Sequence, residues 1–165
     1  MSYVLQGFGV FLGVLAGAAV TLLVQWVVER RKEKQKVKNL KFELEFDIRK
    51  IDKFLDEITR YRNAVNGETL DTYAGYFDLS RIICVTANDM FLSGLLYKYL
   101  SHDDIGKLQV IFSEFSINGE NYINNQISQN KANFDKKKAV MDVDFWEKKF
   151  KEHKQTLQDI VVQVG

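Results

Sequence analysis

The sequence predicts an all-α protein in which an N-terminal transmembrane helix continues into a long stalk helix and is followed by a small helical bundle. Three observations support this fold class. Residues 3–28 carry no charge, the 165-residue chain contains no proline, and no glycine stands between Gly17 and Gly67. Nothing intrinsic therefore interrupts a helix that leaves the membrane.

The first element is the span itself, residues 3–28, within a predicted transmembrane segment 1–28. Its length fits a hydrocarbon core of about 30 Å at about 1.5 Å of rise per residue. A cleaved signal peptide would place positive charge before a shorter apolar core, whereas here the charge follows a long one. Because Lys and Arg crowd the C-terminal flank, we expect the N-terminus outside and the bulk of the chain in the cytoplasm.

The predicted span has two different faces when it is projected at about 100° per residue. The small or polar face carries Gln6, Gly9, Gly13, Gly17, Val20 and Thr21. The bulky face, suited to lipid, carries Val4, Phe8, Phe11, Leu15, Leu22 and Trp26. Glycines at every fourth position let a neighbouring helix approach, which predicts self-association, although glycine is also commoner in membrane spans generally. An amide is costly in hydrocarbon and usually turns towards a partner helix or water, so Gln6 and Gln25, together with the polar Thr21, are candidate pore-lining residues.

Residues 29–41 are predicted to form a basic juxtamembrane stalk. Trp26 stands just ahead of it, where an interfacial aromatic residue belongs, and Arg30, Arg31 and Lys32 open it at the membrane interface. Three interpretations stay open: contact with anionic headgroups at on the order of 1 kcal/mol per cation, binding of RNA, and charged rings around a channel mouth. The formal net charge is only +1, so the whole chain is not a polyanion-binding protein.

Residues 42–165 are predicted to form one cytosolic helical domain. Its first helix continues the stalk and buries a stripe at three- and four-residue steps, namely Leu40, Leu44, Ile48, Ile51, Leu55 and Ile58. Four aromatic residues lie beside that stripe, where a neighbouring subunit would cover them: Phe42, Phe46, Phe54 and Tyr61. We expect the helix to end at Asn66 and Gly67, since glycine favours a left-handed turn past a C-terminus.

The middle of the domain shows weaker patterns. Residues 68–78 indicate a short helix or a loop. Residues 79–99 are apolar nearly all round, which predicts buried helices with breaks near Asn88 and Gly94. Strands over 81–86 are not expected, because the chain offers no alternating partner run.

The last part of the domain is predicted to be two helices joined by a polar connection. Ser101 caps the first of them, which continues to about Gln129 with Gly119 as a tolerated weak point. The polar connection falls in residues 118–133. The final helix is capped by Asp142 or Asp144, and its apolar stripe is Trp146, Phe150, Leu157, Ile160 and Val161.

The sequence has few patterns that indicate a catalytic, metal or cofactor site. The chain has no cysteine pair, no histidine pair at ligand spacing and no glycine-rich phosphate loop, so we expect no metal and no cofactor. Cys84 is predicted to be a small core residue. His102 opens a helix at the surface, and His153 lies in a charged stretch that looks solvated. The sequence therefore predicts that the protein is not an enzyme.

Two half motifs resemble the helical nucleotide-binding (HEPN) domains of prokaryotic defence systems. Their RNase motif is an arginine, a polar residue, three variable residues and a histidine. Arg62 and Asn63 begin such a motif, but Gly67 stands in place of its histidine. His153 ends another, but Lys148 stands in place of its arginine. These departures put catalysis by the pair in doubt.

The glycine-spaced span, the basic stalk and a small helical domain with degenerate nuclease-like halves resemble the membrane accessory proteins of type VI-B CRISPR systems. The resemblance covers the architecture of the whole chain. It implies a homo-oligomeric ring in the bacterial inner membrane, a pore that permeabilises the membrane on phage infection. It also implies membrane lipids and an RNA-guided, RNA-cleaving effector as partners, and a HEPN-like domain that acts through assembly.

Two alternatives stay open at the level of sequence. A membrane-anchored RNase would depend on Arg62, Asn63 and His153. A passive membrane scaffold for a cytosolic defence effector would depend on the helical domain alone, and any inert span could then replace residues 3–28.

Overall fold

The computed structural model describes residues 2–164, with side chains from Gly13 onward, and all regular elements in this range are helical. The five helices are α1 (Ser2–Asn66), α2 (Val85–Leu92), α3 (His102–Glu114), α4 (Ile117–Ala132) and α5 (Lys136–Val164). Short 3-10 turns lie at Leu70–Thr72, Leu79–Arg81 and Leu96–Lys98. Residues 2–164 contain no strand, which confirms the predicted all-α class. The chain divides into two compact units, one ending at Lys38 and the other starting at Asn39.

In the C-terminal unit, α1 buries one residue every three or four positions. The buried positions that follow this repeat are Leu40, Leu44, Asp47, Ile51, Phe54, Ile58, Tyr61 and Val65, and Glu43 is buried beside them. A repeat of about 3.5 residues keeps this seam on one side of the helix. The predicted stripe was therefore one position late at two places, since Ile48 and Leu55 are only half-buried. Phe54 and Tyr61, predicted to lie beside the stripe, belong to the core. Phe42 does lie on the surface, with 65% of its area exposed.

An aromatic cluster joins three helices at the centre of this unit. The rings of Phe54 in α1 and Phe115 after α3 stack with centroids 5.8 Å apart, and Phe115 stacks on Phe150 of α5 at 5.7 Å. Phe77, from the connection between α1 and α2, lies 6.2 Å from Phe150. Each such pair contributes about 0.5–1.5 kcal/mol beyond the burial of its area. These contacts position α5 against α1 and α3.

The end of α1 lies where the sequence predicted it, at Asn66, but the left-handed residue is one position later than expected. Glu68 has φ of +55°, and Gly67 does not have a positive φ. The amide N–H of Thr69 donates to the carbonyl of Ala64 at 2.9 Å, so the chain closes a turn that needs its left-handed residue at position 68. The Lys136 ammonium group binds both the Asn66 carbonyl, at 3.2 Å, and the Glu68 carboxylate, at 3.1 Å.

The predicted long helix after Ser101 is two helices. Ser101 caps α3 as expected, its hydroxyl accepting the Asp104 N–H at 3.1 Å. The chain then turns at Phe115, and Ser116 caps α4 by accepting the Gly119 N–H at 3.5 Å. Gly119 is therefore not a weak point inside a helix. It belongs to the first turn of α4, and a Cβ there would lie 1.8 Å from the Glu114 carbonyl oxygen.

Two other assignments also differ from the sequence prediction. The stretch predicted as a polar connection, 118–133, is mostly helix α4, because its buried Ile123 and Ile127 recur every fourth residue. The final helix α5 begins at Lys136, ahead of the predicted caps Asp142 and Asp144, and Asp135 caps it by accepting the Lys138 N–H at 3.2 Å.

The segment 79–99 contains a single α-helix, α2. Asn88 lies inside α2 and causes no break, while Gly94 does follow its end with φ of +73°. The remaining connection, 67–84, is a loop with two 3-10 turns. Cys84 immediately precedes α2 and is half-buried rather than a core residue.

Candidate functional site

Helix α1 contains the stretch of the described chain that is long and apolar enough to cross a membrane. Residues 13–32 are all exposed, and none of the apolar window is buried within the described residues. An apolar helix with its whole circumference exposed is stable only where lipid or other helices cover it. This stretch is therefore the first candidate functional site.

The small face of this stretch is open. A Cβ added at Gly13 or Gly17 would meet nothing within 4 Å, so another backbone has room to approach there. The Thr21 hydroxyl donates to the Gly17 carbonyl at 2.9 Å, which satisfies its hydrogen-bonding need inside its own helix. Gln25 is exposed one turn later. The predicted Gln6 and Gly9 lie outside the residues whose side chains the structure describes.

The opposite face is bulky and ends in an aromatic residue with a cation over it. Leu15, Leu22 and Trp26 have 50%, 66% and 56% of their areas exposed. The Arg30 guanidinium carbon lies 5.0 Å from the centroid of the Trp26 ring. Tryptophan beside arginine is typical of the border between hydrocarbon and headgroups. Arg31 and Lys32, the next two predicted interface residues, are exposed as well.

The RNase candidates Arg62 and His153 are engaged with different side chains. Arg62 forms ion pairs with Glu147 and with Asp144, the latter at 2.7 Å. Asn63, its neighbour in the half motif, is exposed. His153 instead contacts Glu114 of α3, with 2.5 Å between ring Nε2 and the carboxylate.

His153 is more enclosed than its charged sequence neighbours suggested. Its side chain is only 12% exposed, and its ring lies edge-on to Phe115 with centroids 5.7 Å apart. The Glu114 carboxylate also binds the Lys149 ammonium group at 2.7 Å. Burial acts to raise the pKa of Glu114, but the hydrogen bonds from Lys149 and His153 outweigh burial and leave that pKa below its usual value. The histidine thus belongs to an interhelical network of polar contacts around Glu114.

A groove between α3 and α5 has a volume of about 570 Å³ and is lined by both histidines of the chain, His102 and His153. His102 is exposed, as predicted, and its ring is tilted against that of Tyr97, with ring centroids 5.4 Å apart. Lys107, also in the wall, pairs with Asp103 at 2.5 Å. Among the described residues, no group of three His, Cys, Asp or Glu side chains is placed to hold a metal ion.

Sequence reasoning missed a set of polar side chains that hold the loop 67–84 onto the helices. The Asn124 amide of α4 pairs with the backbone of Phe77, accepting its N–H at 3.0 Å and donating to its carbonyl at 2.8 Å. Glu120 accepts the Ser80 N–H at 2.9 Å. Two acidic residues of α1 also accept backbone N–H groups: Asp47 accepts that of Ile83, and Glu43 accepts that of Thr86.

One sequence signal could have found Asp47. The buried seam of α1 repeats at steps of four and three residues, and position 47 falls on it between Leu44 and Ile51. A carboxylate at a position that the repeat buries indicates a specific polar contact.

Comparison with known protein families, with curated proteins and with solved structures finds no match to this chain. No comparison links it to the accessory proteins of type VI-B CRISPR systems, so that resemblance stays a prediction.

Proposed function

We propose that this chain is a single-span membrane protein that assembles into a ring and forms a pore. One observation carries the proposal: an apolar helix is exposed all round over residues 13–28, and its open glycine face opposes a bulky face. Without a hydrophobic force between helices in lipid, close backbone approach and interhelical hydrogen bonds drive association. The glycine face provides that approach at Gly13 and Gly17.

In the proposed ring, the bulky side chains contact lipid, and the polar positions Gln6, Thr21 and Gln25 line a water-filled path. An amide in hydrocarbon is costly, and a shared aqueous path removes that cost. Ions that cross the path release about 2.3 kcal/mol per elementary charge for each 100 mV of membrane potential. The pore would thus dissipate the potential without any covalent chemistry.

We place the protein in the bacterial inner membrane with its N-terminus outside and its helical domain in the cytoplasm. The cations at the C-terminal border of the span support this orientation, since Arg30, Arg31 and Lys32 are exposed there. The resemblance in architecture supports an antiviral role, in which depolarisation on phage infection strengthens the action of an RNA-guided, RNA-cleaving CRISPR effector. Direct contact with RNA is not part of the proposal.

The protein acts by assembling into a ring and not by catalysis. A membrane-anchored RNase needs an arginine and a histidine at one site, and here Arg62 and His153 are engaged with different carboxylates. A passive scaffold differs from the pore in its span, which could be exchanged for any inert apolar helix. The two alternatives are therefore separable by variants of the domain and of the span.

The experiment measures membrane potential with a dye in cells that carry the protein and its effector and are challenged with phage. Wild type should depolarise the cells, and so should His153→Gln, which keeps a hydrogen-bonding group for Glu114. Changing Gln6 and Gln25 together to Leu should remove polar groups that hold water in the path and suppress the depolarisation. Leu22→Ile on the bulky face should leave the depolarisation unchanged. An unchanged potential in protected wild-type cells would overturn the pore.

A further inference from the structure

Two acidic side chains of α1 are buried beneath the start of α2. Glu43 is 5% exposed and Asp47 is fully buried. Because they are four residues apart, both project from the same side of the helix. Glu43 accepts the N–H groups of Thr86 at 2.7 Å and Ala87 at 3.1 Å, and Asp47 Oδ1 accepts that of Ile83 at 2.9 Å. We call residues 83–92, which include α2, the clamped segment.

The two carboxylates differ in how well they are satisfied. Both oxygens of Glu43 accept N–H groups at the N-terminus of α2, where the helix dipole favours negative charge. Asp47 Oδ2 has no hydrogen-bond partner among the described residues, although it is buried. A charged, half-satisfied carboxylate in this position is costly, and a proton on Oδ2 removes the charge without disturbing the bond to Ile83 at Oδ1.

The groups around Asp47 shift its pKa in both directions. The pKa of Asp47 is raised to about 7. Burial is the main cause and the charge of Glu43 adds to it, while the Ile83 N–H and Lys50 of α1 act in the opposite direction. From the clamped segment, the Cys84 thiol faces both carboxylates, and its own pKa is raised by burial and by their charges. The thiol is therefore uncharged at neutral pH and adds no charge to the site.

We propose that Asp47 Oδ2 is a proton-binding site that sets how tightly the clamped segment is held on α1. When the segment opens, Asp47 meets water, and its pKa returns towards the ordinary value of 3.8. The folded pKa is the higher of the two, so the stabilisation is full below about pH 4 and is lost as the pH rises to about 7. Between these limits, each pH unit loosens the clamp by up to about tenfold.

The clamped segment is suited to local opening. It is short, and its outer surface carries Val85 and Leu92 with 74% and 84% of their areas exposed, so few contacts hold it from outside. Acidification on the cytoplasmic side would tighten it, and a return to neutral pH would release it. This behaviour does not depend on whether the span forms a pore.

The test is hydrogen exchange followed by mass spectrometry on the full chain in detergent, from pH 5 to pH 8. After correction for intrinsic exchange, the opening constant of a peptide covering the clamped segment should rise about fiftyfold between pH 5 and 7 and less than about twofold beyond. Asp47→Asn keeps an acceptor for the Ile83 N–H but cannot titrate, so its opening constant should stay flat. Asp56→Asn, at an exposed position of the same helix, should keep the wild-type slope.

Equal slopes in wild type and Asp47→Asn would overturn the proposal, as would a flat profile in wild type. A second measurement uses wild type alone, so it does not depend on whether Asp47→Asn folds. In wild type labelled with ¹³C at aspartate carboxyls, one carboxyl should titrate with a midpoint near pH 7. Midpoints near pH 4 for all aspartates would also overturn it.

Discussion

Replacing Gly119 by alanine sets two effects of opposite sign against each other. In a helix, alanine is favoured over glycine by about 0.8–1.0 kcal/mol. At Gly119 the added Cβ would lie 1.8 Å from the Glu114 carbonyl oxygen and 2.9 Å from its carbon. Both are backbone atoms, so α3 and α4 must separate by more than 1 Å, and overpacking this severe costs about 2–3 kcal/mol, the upper part of the usual range. We expect Gly119→Ala to lower the unfolding free energy by about 1–2 kcal/mol net.

Gly106 provides the matched control. It also lies inside a helix, α3, but a Cβ there would meet nothing within 4 Å. Gly106→Ala should therefore raise the unfolding free energy by about 0.5–1 kcal/mol. The assay is denaturant unfolding of the full chain in detergent, followed by the fluorescence of the buried Trp146. If Gly119→Ala were as stable as wild type, the close packing at the α3–α4 turn would be refuted.

Three further variants test individual contacts by the same unfolding assay. Glu114→Gln should destabilise the protein at pH 7. Because folding lowers the pKa of Glu114, this difference from wild type should narrow as the pH falls below the ordinary value of 4.5, and a difference that stays constant on acidification would contradict the prediction. Glu68→Gly relieves a positive φ at the loss of an exposed ion pair to Lys136, so a gain of about 0.5 kcal/mol is expected, and a loss above 1 kcal/mol would show that the ion pair dominates. Asn130→Ala removes a buried amide that donates to Tyr61 at 3.0 Å and should cost about 1–3 kcal/mol, so a neutral effect would refute the importance of this contact.

Much of the fold was predictable because its signals are local. The absence of proline and of glycine between Gly17 and Gly67 predicted one uninterrupted helix, and α1 is that helix. Ser101 was predictable as a cap, since a serine followed by acidic residues satisfies free N–H groups at a helix start. The aromatic and aliphatic stripe of α5 was predictable from its spacing, with Trp146, Phe150 and Leu157 all buried.

The boundaries that could not be predicted depend on tertiary contacts. The turn between α3 and α4 contains neither glycine nor proline at its bend, and it forms because Phe115 enters the aromatic cluster. The left-handed residue after α1 is Glu68, which binds Lys136 from a distant helix. The environment of His153 follows from Glu114 on α3, and no pattern around His153 itself reports that neighbour.

Within the candidate site too, the features that lie on one helix could be predicted, and the contacts between distant parts of the chain could not. The small and bulky faces of the span follow from spacing on one helix. The sequence alone therefore predicts that Gly13 and Gly17 share one face and that Trp26 lies on the other. The pairing of Glu43 and Asp47 with backbone N–H groups some 36 to 44 positions away could not, because it requires the loop to be in place.

If the span assembles chains through its glycine face, the detergent-solubilised protein has the mass of several chains. Mass photometry of wild type should show one species of several chains. Gly13→Leu should shift it to smaller species, since a bulky side chain forces the backbones apart, and Leu15→Ile should leave it unchanged. A monodisperse monomer of wild type in mild detergent would contradict the account.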